Sequence, residues 1–331
     1  MRLLRSLRLR SRAAATAVPV ARAGFLERYG IDSDVLDFAQ NVHERARRKL
    51  THADVTFRSC PICLGQQSHP AIAGLGKDLS SSLITTVGLD AKTFADMPLI
   101  YHYCRACDHF FVSPIPALRF IDLDHSGIPA DNRRENSWML DQAYVLDKKA
   151  SVAAHCKAAG FDHLDRNDPV ADIGCGVGVG LEVFHEVGFR NIYGIEPDLF
   201  SVRVMQREKP WIHAVHGDAY NHPADLSGLF ALVMFDNVLE HQTRPVQAAA
   251  NAFAMLRPGG VFWATVPNAG GTDFRTNKMK SRNLNFGHWS YFTTTSLTKL
   301  LRFFFSSVSF YGSATEDWIN VVAVKSQSPA A

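Results

Sequence analysis

The sequence predicts an α/β protein, a doubly wound and mostly parallel sheet over residues 161–325 preceded by a small four-cysteine module. Three observations carry this. Short apolar runs alternate with helical patterns from residue 170 to 267, which argues for a parallel sheet covered by helices on both faces. A glycine-rich turn follows the first of those runs. Upstream, four of the six cysteines form two C-x-x-C pairs, Cys60 with Cys63 and Cys104 with Cys107.

At 331 residues the chain exceeds the ~100–200 of a single domain, and 47% hydrophobic with 20% charged residues is a globular composition. A formal charge of +3 is too small to demand nucleic acid or an anionic membrane. Basic character is local: Arg2, Arg5, Arg8, Arg10, Arg12 and Arg22 all precede the first acid, Glu27. This tail reads as a mitochondrial-type transit peptide, as a surface amphipathic helix with Leu3, Leu4 and Leu7 on one side, or as a solvated terminus. The expected compartment is the cytoplasm, or the mitochondrion under the first reading. No apolar run approaches the ~18 residues of a spanning helix.

Residues 24–50 read as a charge-alternating helix that, with the tail, makes up a first unit over 1–50. Residues 51–116 form a compact, loop-rich module around the cysteine pairs. Each pair lets two thiolates grip one ion, so Cys60, Cys63, Cys104 and Cys107 together complete a closed tetrahedral zinc site. Without a secretory signal, metal is preferred over a disulfide framework. Four thiolates leave no position for water, so the zinc is structural. His69, His102 and His109 lie nearby but are not needed as ligands. The basic residues between 58 and 115 are Arg58, Lys77, Lys92 and Arg105, which is no basic stripe and speaks against nucleic acid as partner. Residues 117–160 form a helical linker or lid, since Trp138, Leu140, Ala143, Tyr144 and Leu146 recur at roughly helical spacing.

From there strands are expected at 170–173, 191–196, 212–215, 229–235 and 261–267, with helices at 179–187, 199–207 and 245–256. Pro258, Gly259 and Gly260 end the last helix and turn the chain into its strand. The loop Asp172-Ile173-Gly174-Cys175-Gly176-Val177-Gly178 sits between a strand and a helix, where glycines let backbone approach a nucleotide-like ligand. A dinucleotide fingerprint would need a third glycine at the position of Val179.

The tighter spacing, with Asp172 ahead of the first glycine, resembles the first motif of class I S-adenosylmethionine-dependent methyltransferases. The stretches Phe235-Asp236-Asn237-Val238-Leu239-Glu240-His241 and Leu256-Arg257-Pro258-Gly259-Gly260 resemble later motifs of the same family, in the same order. The resemblance implies a Rossmann-like domain binding S-adenosylmethionine through Asp172, Gly174, Gly176, Gly178 and Asp236. Glu196, 22 positions after Gly174, would accept from the ribose hydroxyls, and Asp218 with Ala219 would meet the adenine. A histidine suits proton removal near neutral pH, and His241 and His288 stand where the family places acceptor-facing residues. Glu240 reads as a supporting acid, and Tyr291 as a substrate-orienting or core aromatic.

Four cysteines ahead of such a core, and His288 shortly before Tyr291 and Phe292, are similar to bacterial C-methyltransferases acting on nucleotide-linked deoxysugars and to related small-molecule enzymes. Gly287 stands where those carry an acid, and the chain ends soon after the core. The expected function is methyl transfer to a small polar acceptor, on carbon or oxygen. Its rivals are a zinc-ribbon RNA methyltransferase and a non-catalytic partner that only binds the cofactor.

Overall fold

The computed structural model describes residues 26–49, 55–65, 67–75, 98–116, 139–278, 281, 283–284, 287–313 and 316–327. The Arg-rich tail, Lys77, Lys92 and Trp138 lie outside the described residues. The helix expected over 24–50 is divided: a 3-10 turn, Glu27–Tyr29, closes on left-handed Gly30 (φ 69°), and α1 (Ser33–Lys49) starts afresh. Asp32 provides that start by accepting the Val35 N–H at 3.0 Å, as an N-cap carboxylate does.

The module read as loop-rich contains strands β1 (Val55–Thr56), β2 (Ser68–Leu75), β3 (Pro98–Cys104), β4 (His109–Val112) and β5 (Ile115–Pro116). β2, β3 and β4 form an antiparallel sheet. Ala39 and Ala46 let α1 pack closely on Ala73 and Ile100 of that sheet. The hydrophobic run Leu99–Cys104 is buried on both faces, which removes the in/out alternation that would have marked a strand.

The chain continues through α2 (Gln142–Ala159), β6 (Val170–Ile173), α3 (Val179–Glu186), β7 (Ile192–Glu196), α4 (Leu199–Glu208), β8 (Ile212–His216), β9 (Phe230–Asp236), α5 (Pro245–Met255) and β10 (Leu256–Pro267). It closes with α6 (Thr272–Asn277), β11 (Ser290–Tyr291), α7 (Thr294–Leu301), β12 (Ser307–Tyr311) and β13 (Trp318–Val324). Seven strands form one sheet in the order β12-β13-β10-β9-β6-β7-β8. Neighbours from β10 to β8 run parallel, and β13 is antiparallel to both β10 and β12. The fold is α/β and Rossmann-like. β6, β7 and β8 run outward in one direction and β9 and β10 in the other, so the order switches between β6 and β9. At such a switch the connections diverge and open a crevice at the carboxyl edge.

Two local expectations change. Within the expected 117–160 helical segment, α2 begins at Gln142, capped by Asp141, which accepts from the Ala143 and Tyr144 N–H groups at 2.9 and 3.2 Å. Leu140, Ala143 and Leu146 are exposed while Tyr144 packs inward on the face that carries buried Val152, so only one of the described residues in that apolar spacing faces the core. Second, the Pro258-Gly259-Gly260 turn is absorbed into β10 as an irregularity between Leu256 and Val261.

β11 does not join the large sheet. It pairs antiparallel with β4, Ser290 against Phe111 and Tyr291 against Phe110, completing the module's sheet from the far end of the chain. Tyr29, Tyr101, Tyr103 and Phe110 accordingly share a buried cluster with Phe274, Trp289 and Tyr291.

Candidate functional site

The switch point sets the glycine loop at the carboxyl end of β6. Gly174, Gly176 and Gly178 all have left-handed backbone, with φ of 75°, 56° and 76°, a region costly to residues with a Cβ. Space is equally restrictive: a Cβ on Gly174 would lie 2.7 Å from Val238, and one on Gly176 2.9 Å from the Met139 sulfur. Glu196 at the end of β7 aims back at the loop. Its Oε2 accepts the Gly176 N–H at 2.8 Å and its Oε1 the Asp198 N–H at 2.9 Å, which fixes the carboxylate over the crevice. Asp218, after β8, accepts the N–H groups of Tyr220 and Asn221 at 2.7 and 3.0 Å, and Ala219 beside it is buried.

Asp172, one residue before the end of β6, and Asp236, the last of β9, sit on the two strands that flank the switch. The Asp172 Oδ1 is buried with no hydrogen-bond partner among the described residues, and burial, reinforced by the Asp236 charge, holds its carboxyl well above the usual range. Asp236 Oδ2 pairs with Lys148 Nζ at 2.6 Å. Lys148 is a residue the sequence reading passed over. It lies on α2 one turn from both Tyr144 and Val152, spacing that points all three the same way. The two apolar faces meet where Met139, Tyr144 and Val145 pack on Val177, Val179 and Val204.

Beyond β9, Asn237 takes φ 60° and leads into a 3-10 turn, Leu239–His241. Glu240 and His241 of this turn meet His288, which comes from the loop before β11. A carboxylate oxygen and one nitrogen of each imidazole lie within 4.8 Å of one another, and the rings stand edge to face with centroids 4.6 Å apart. Nδ1–H of His288 donates to Asn283 O at 2.7 Å and Nδ1–H of His241 to Gly287 O at 3.1 Å. Carbonyls only accept, so a neutral ring at either position carries its lone pair on Nε2. Glu240 is fully buried, neither of its oxygens has a hydrogen-bond partner among the described residues, and burial pushes its carboxyl up to about 8. Burial likewise holds His288 well below the ordinary histidine range. Tyr291 is buried against Phe274 and Tyr101, the core alternative of its two readings.

The four module cysteines converge although 40 residues separate the pairs. Their sulfurs all lie within 4.8 Å of one another, with Cys63 and Cys104 Sγ 3.7 Å apart, and all are reduced. A tetrahedron with Zn–S of ~2.3 Å has edges of ~3.8 Å, so the spacing suits zinc. Each knuckle ends in a left-handed residue after its second cysteine, Leu64 and Asp108, both at φ 57°. His109 is buried on Phe292 and Phe111 rather than turned to the sulfurs. Arg58, read from sequence only as one of a few basic residues, bridges module and core. Its guanidinium donates to Val112 O, Thr243 O and Trp289 O at 2.8, 2.8 and 2.5 Å.

Comparison with known proteins agrees with this geometry. A family model described as a methyltransferase domain matches residues 147–304. The probable S-adenosylmethionine-dependent methyltransferase of Mycolicibacterium smegmatis is 29% identical over 155 residues, covering 46% of this chain and 55% of that protein. An uncharacterized 37.1 kDa protein in a transposon of Streptomyces fradiae is 30% identical over 145 residues, 41% of this chain and 42% of its own length. The chain thus spans about half the length of the curated relatives it matches. Among solved structures, 1,6-didemethyltoxoflavin-N1-methyltransferase of Burkholderia thailandensis superposes with a TM-score of 0.46 at 20% identity, over 68% of this chain and 99% of that one. Over residues 147–304 the chain is thus similar to S-adenosylmethionine-dependent methyltransferases.

Proposed function

We propose that this protein methylates a small polar acceptor, such as a nucleotide-linked sugar or another natural-product intermediate, on carbon or oxygen. S-adenosylmethionine, when bound, supplies an electrophilic methyl carbon on a sulfonium. The glycine loop leaves room for it, Glu196 is oriented to accept from its ribose hydroxyls, and Asp218 with Ala219 borders the adenine end. Asp172 and Asp236 lie toward the methionine end. The observation that carries the acceptor reading is the convergence of Glu240, His241 and His288 beyond Asp236, two imidazoles and a buried carboxyl drawn from separate segments. Nε2 of His241 takes the acceptor's proton. His288, which burial keeps neutral, accepts a hydrogen bond from the acceptor and holds it in line, and such positioning supplies much of the rate. Cys60, Cys63, Cys104 and Cys107 hold one structural zinc, which keeps β4 in place beside β11.

The test is to incubate the full chain with methyl-labelled S-adenosylmethionine and a fractionated extract. Label in small polar molecules, lost in His241→Ala, is the expected result. Label confined to nucleic acid would overturn the acceptor class. For the cofactor, Gly176→Arg should abolish binding by filling the loop against Met139, and retained affinity would show that the site lies elsewhere.

A further inference from the structure

We infer that Glu240, His241 and His288 form a second metal site, distinct from the four cysteines and suited to a divalent transition cation such as zinc or cobalt. The site goes beyond the acceptor reading, and only its consequence for methyl transfer rests on that reading. Its ground is the ligand set. A carboxylate from the turn after β9 and two imidazoles, one from that turn and one from the loop before β11, each bring a ligand atom to within 4.8 Å of the others. Imidazole with carboxylate suits zinc, cobalt, nickel and iron better than the hard ions that prefer oxygen alone. A tetrahedral ion with bonds of ~2.0–2.1 Å holds neighbouring ligand atoms ~3.3 Å apart, so the three close around it by at most ~1.5 Å.

The groups behind the ligands fit the same reading. A metal-bound histidine characteristically gives its other ring N–H to a carbonyl or carboxylate, which fixes ring and tautomer. Nδ1 of His288 faces Asn283 O at 2.7 Å and Nδ1 of His241 faces Gly287 O at 3.1 Å, which directs coordination to Nε2. Glu240 is the independent sign. It is fully buried and neither of its oxygens has a hydrogen-bond partner among the described residues, a state costly to a carboxylate until a donor or cation meets it. The cations of the protein around it are committed. Lys148 pairs with Asp236 at 2.6 Å, and Arg58, which reaches the segments after Glu240 and after His288, donates to the carbonyls of Val112, Thr243 and Trp289.

Three protein ligands leave a position open for water or another ligand atom, where four thiolates leave none. With fewer and harder donors this is the weaker of the two sites, and it exchanges its ion under conditions in which the cysteines keep theirs. An ion held there takes up the Nε2 lone pairs that proton removal and acceptor positioning need, so the cation-free form is the one that transfers methyl.

The test dialyses the full zinc-containing chain free of loosely held metal and titrates it with Co2+. One further Co2+ per chain should bind, with the visible absorption of cobalt on nitrogen and oxygen and without thiolate-to-cobalt charge transfer. His288→Ala and Glu240→Gln, each melting cooperatively, should weaken it by at least about 100-fold, since loss of an outer partner alone costs ~10- to 100-fold. No uptake by wild type beyond the cysteine-bound zinc, uptake accompanied by thiolate bands, or uptake unchanged in both variants would overturn the site. In the labelled-extract assay, Co2+ should suppress methyl transfer over the concentrations at which it binds, and full transfer by the cobalt-loaded chain would overturn the exclusion. An extract that yields no labelled product with or without Co2+ fails the acceptor reading alone, and the cobalt titration still decides the metal site.

Discussion

Glu240 has both carboxylate oxygens out of water and no hydrogen-bond partner for either among the described residues, so its proton is held by burial. Its carboxyl titrates near 8 in the fold against an ordinary 4.5. A raised carboxyl leaves stability intact below pH ~4.5, where both states carry the proton. As pH rises from there to 8 the unfolded chain ionises first, and stability is lost until the folded group ionises too. Glu240→Gln removes that slope. The melting temperature of the variant relative to wild type should grow from near zero at pH 4.5 to on the order of 5 °C above pH 8. A pH-independent offset would mean that Glu240 is already ionised in the fold.

At the scale of elements, the two-residue strand β11 ties the segment carrying His288 to the cysteine module. It pairs with β4, and β4 follows directly on the second knuckle. Thr293 extends the tie: it caps α7 in a capping box with Ser296 while donating through Oγ1 to Asp108 O at 2.7 Å. Stripping zinc with a chelator, or Cys104→Ser, should release one zinc per chain and loosen this sheet. His288 lies two residues from β11, and an ångström of displacement there should lower methyl transfer by on the order of 10²-fold. S-adenosylhomocysteine should still bind, because the seven-stranded sheet contains no cysteine ligand. Full activity in a zinc-free preparation would refute the structural role of the metal.

Across the whole molecule, the segments that flank the site belong to one body. Asp108 accepts from Tyr29 and Tyr103 hydroxyls at 2.6 and 2.8 Å and pairs with Arg28 at 2.6 Å. Arg58 joins β4, the segment after Glu240 and the segment after His288 through three carbonyls. Arg58→Met leaves those carbonyls without their charged donor and should cost about 2–4 kcal/mol in urea unfolding. Module and core should unfold in one transition in wild type, since they share a sheet and a core. Two separated transitions would show them to be independent.

Chemistry set by local spacing was legible in the chain alone. Strand, glycine turn and helix over 170–187 form from neighbouring residues, and the acids that close successive strands inherit their position from the alternation itself. C-x-x-C likewise encodes one knuckle each. Partnership was not legible, because it depends on residues far apart in sequence. Lys148 meeting Asp236, Ser290–Tyr291 completing the sheet of β4, and Glu240 losing all contact with water depend on how the layers close. So do the edge strands β12 and β13, whose side chains gain a face to pack on only once β10 is in place. Periodicity and backbone freedom, both local properties, set which residues could line the crevice. Which of them are paired, buried or left with an unmet charge follows from how the layers pack, since burial and Coulomb energies depend on through-space distance.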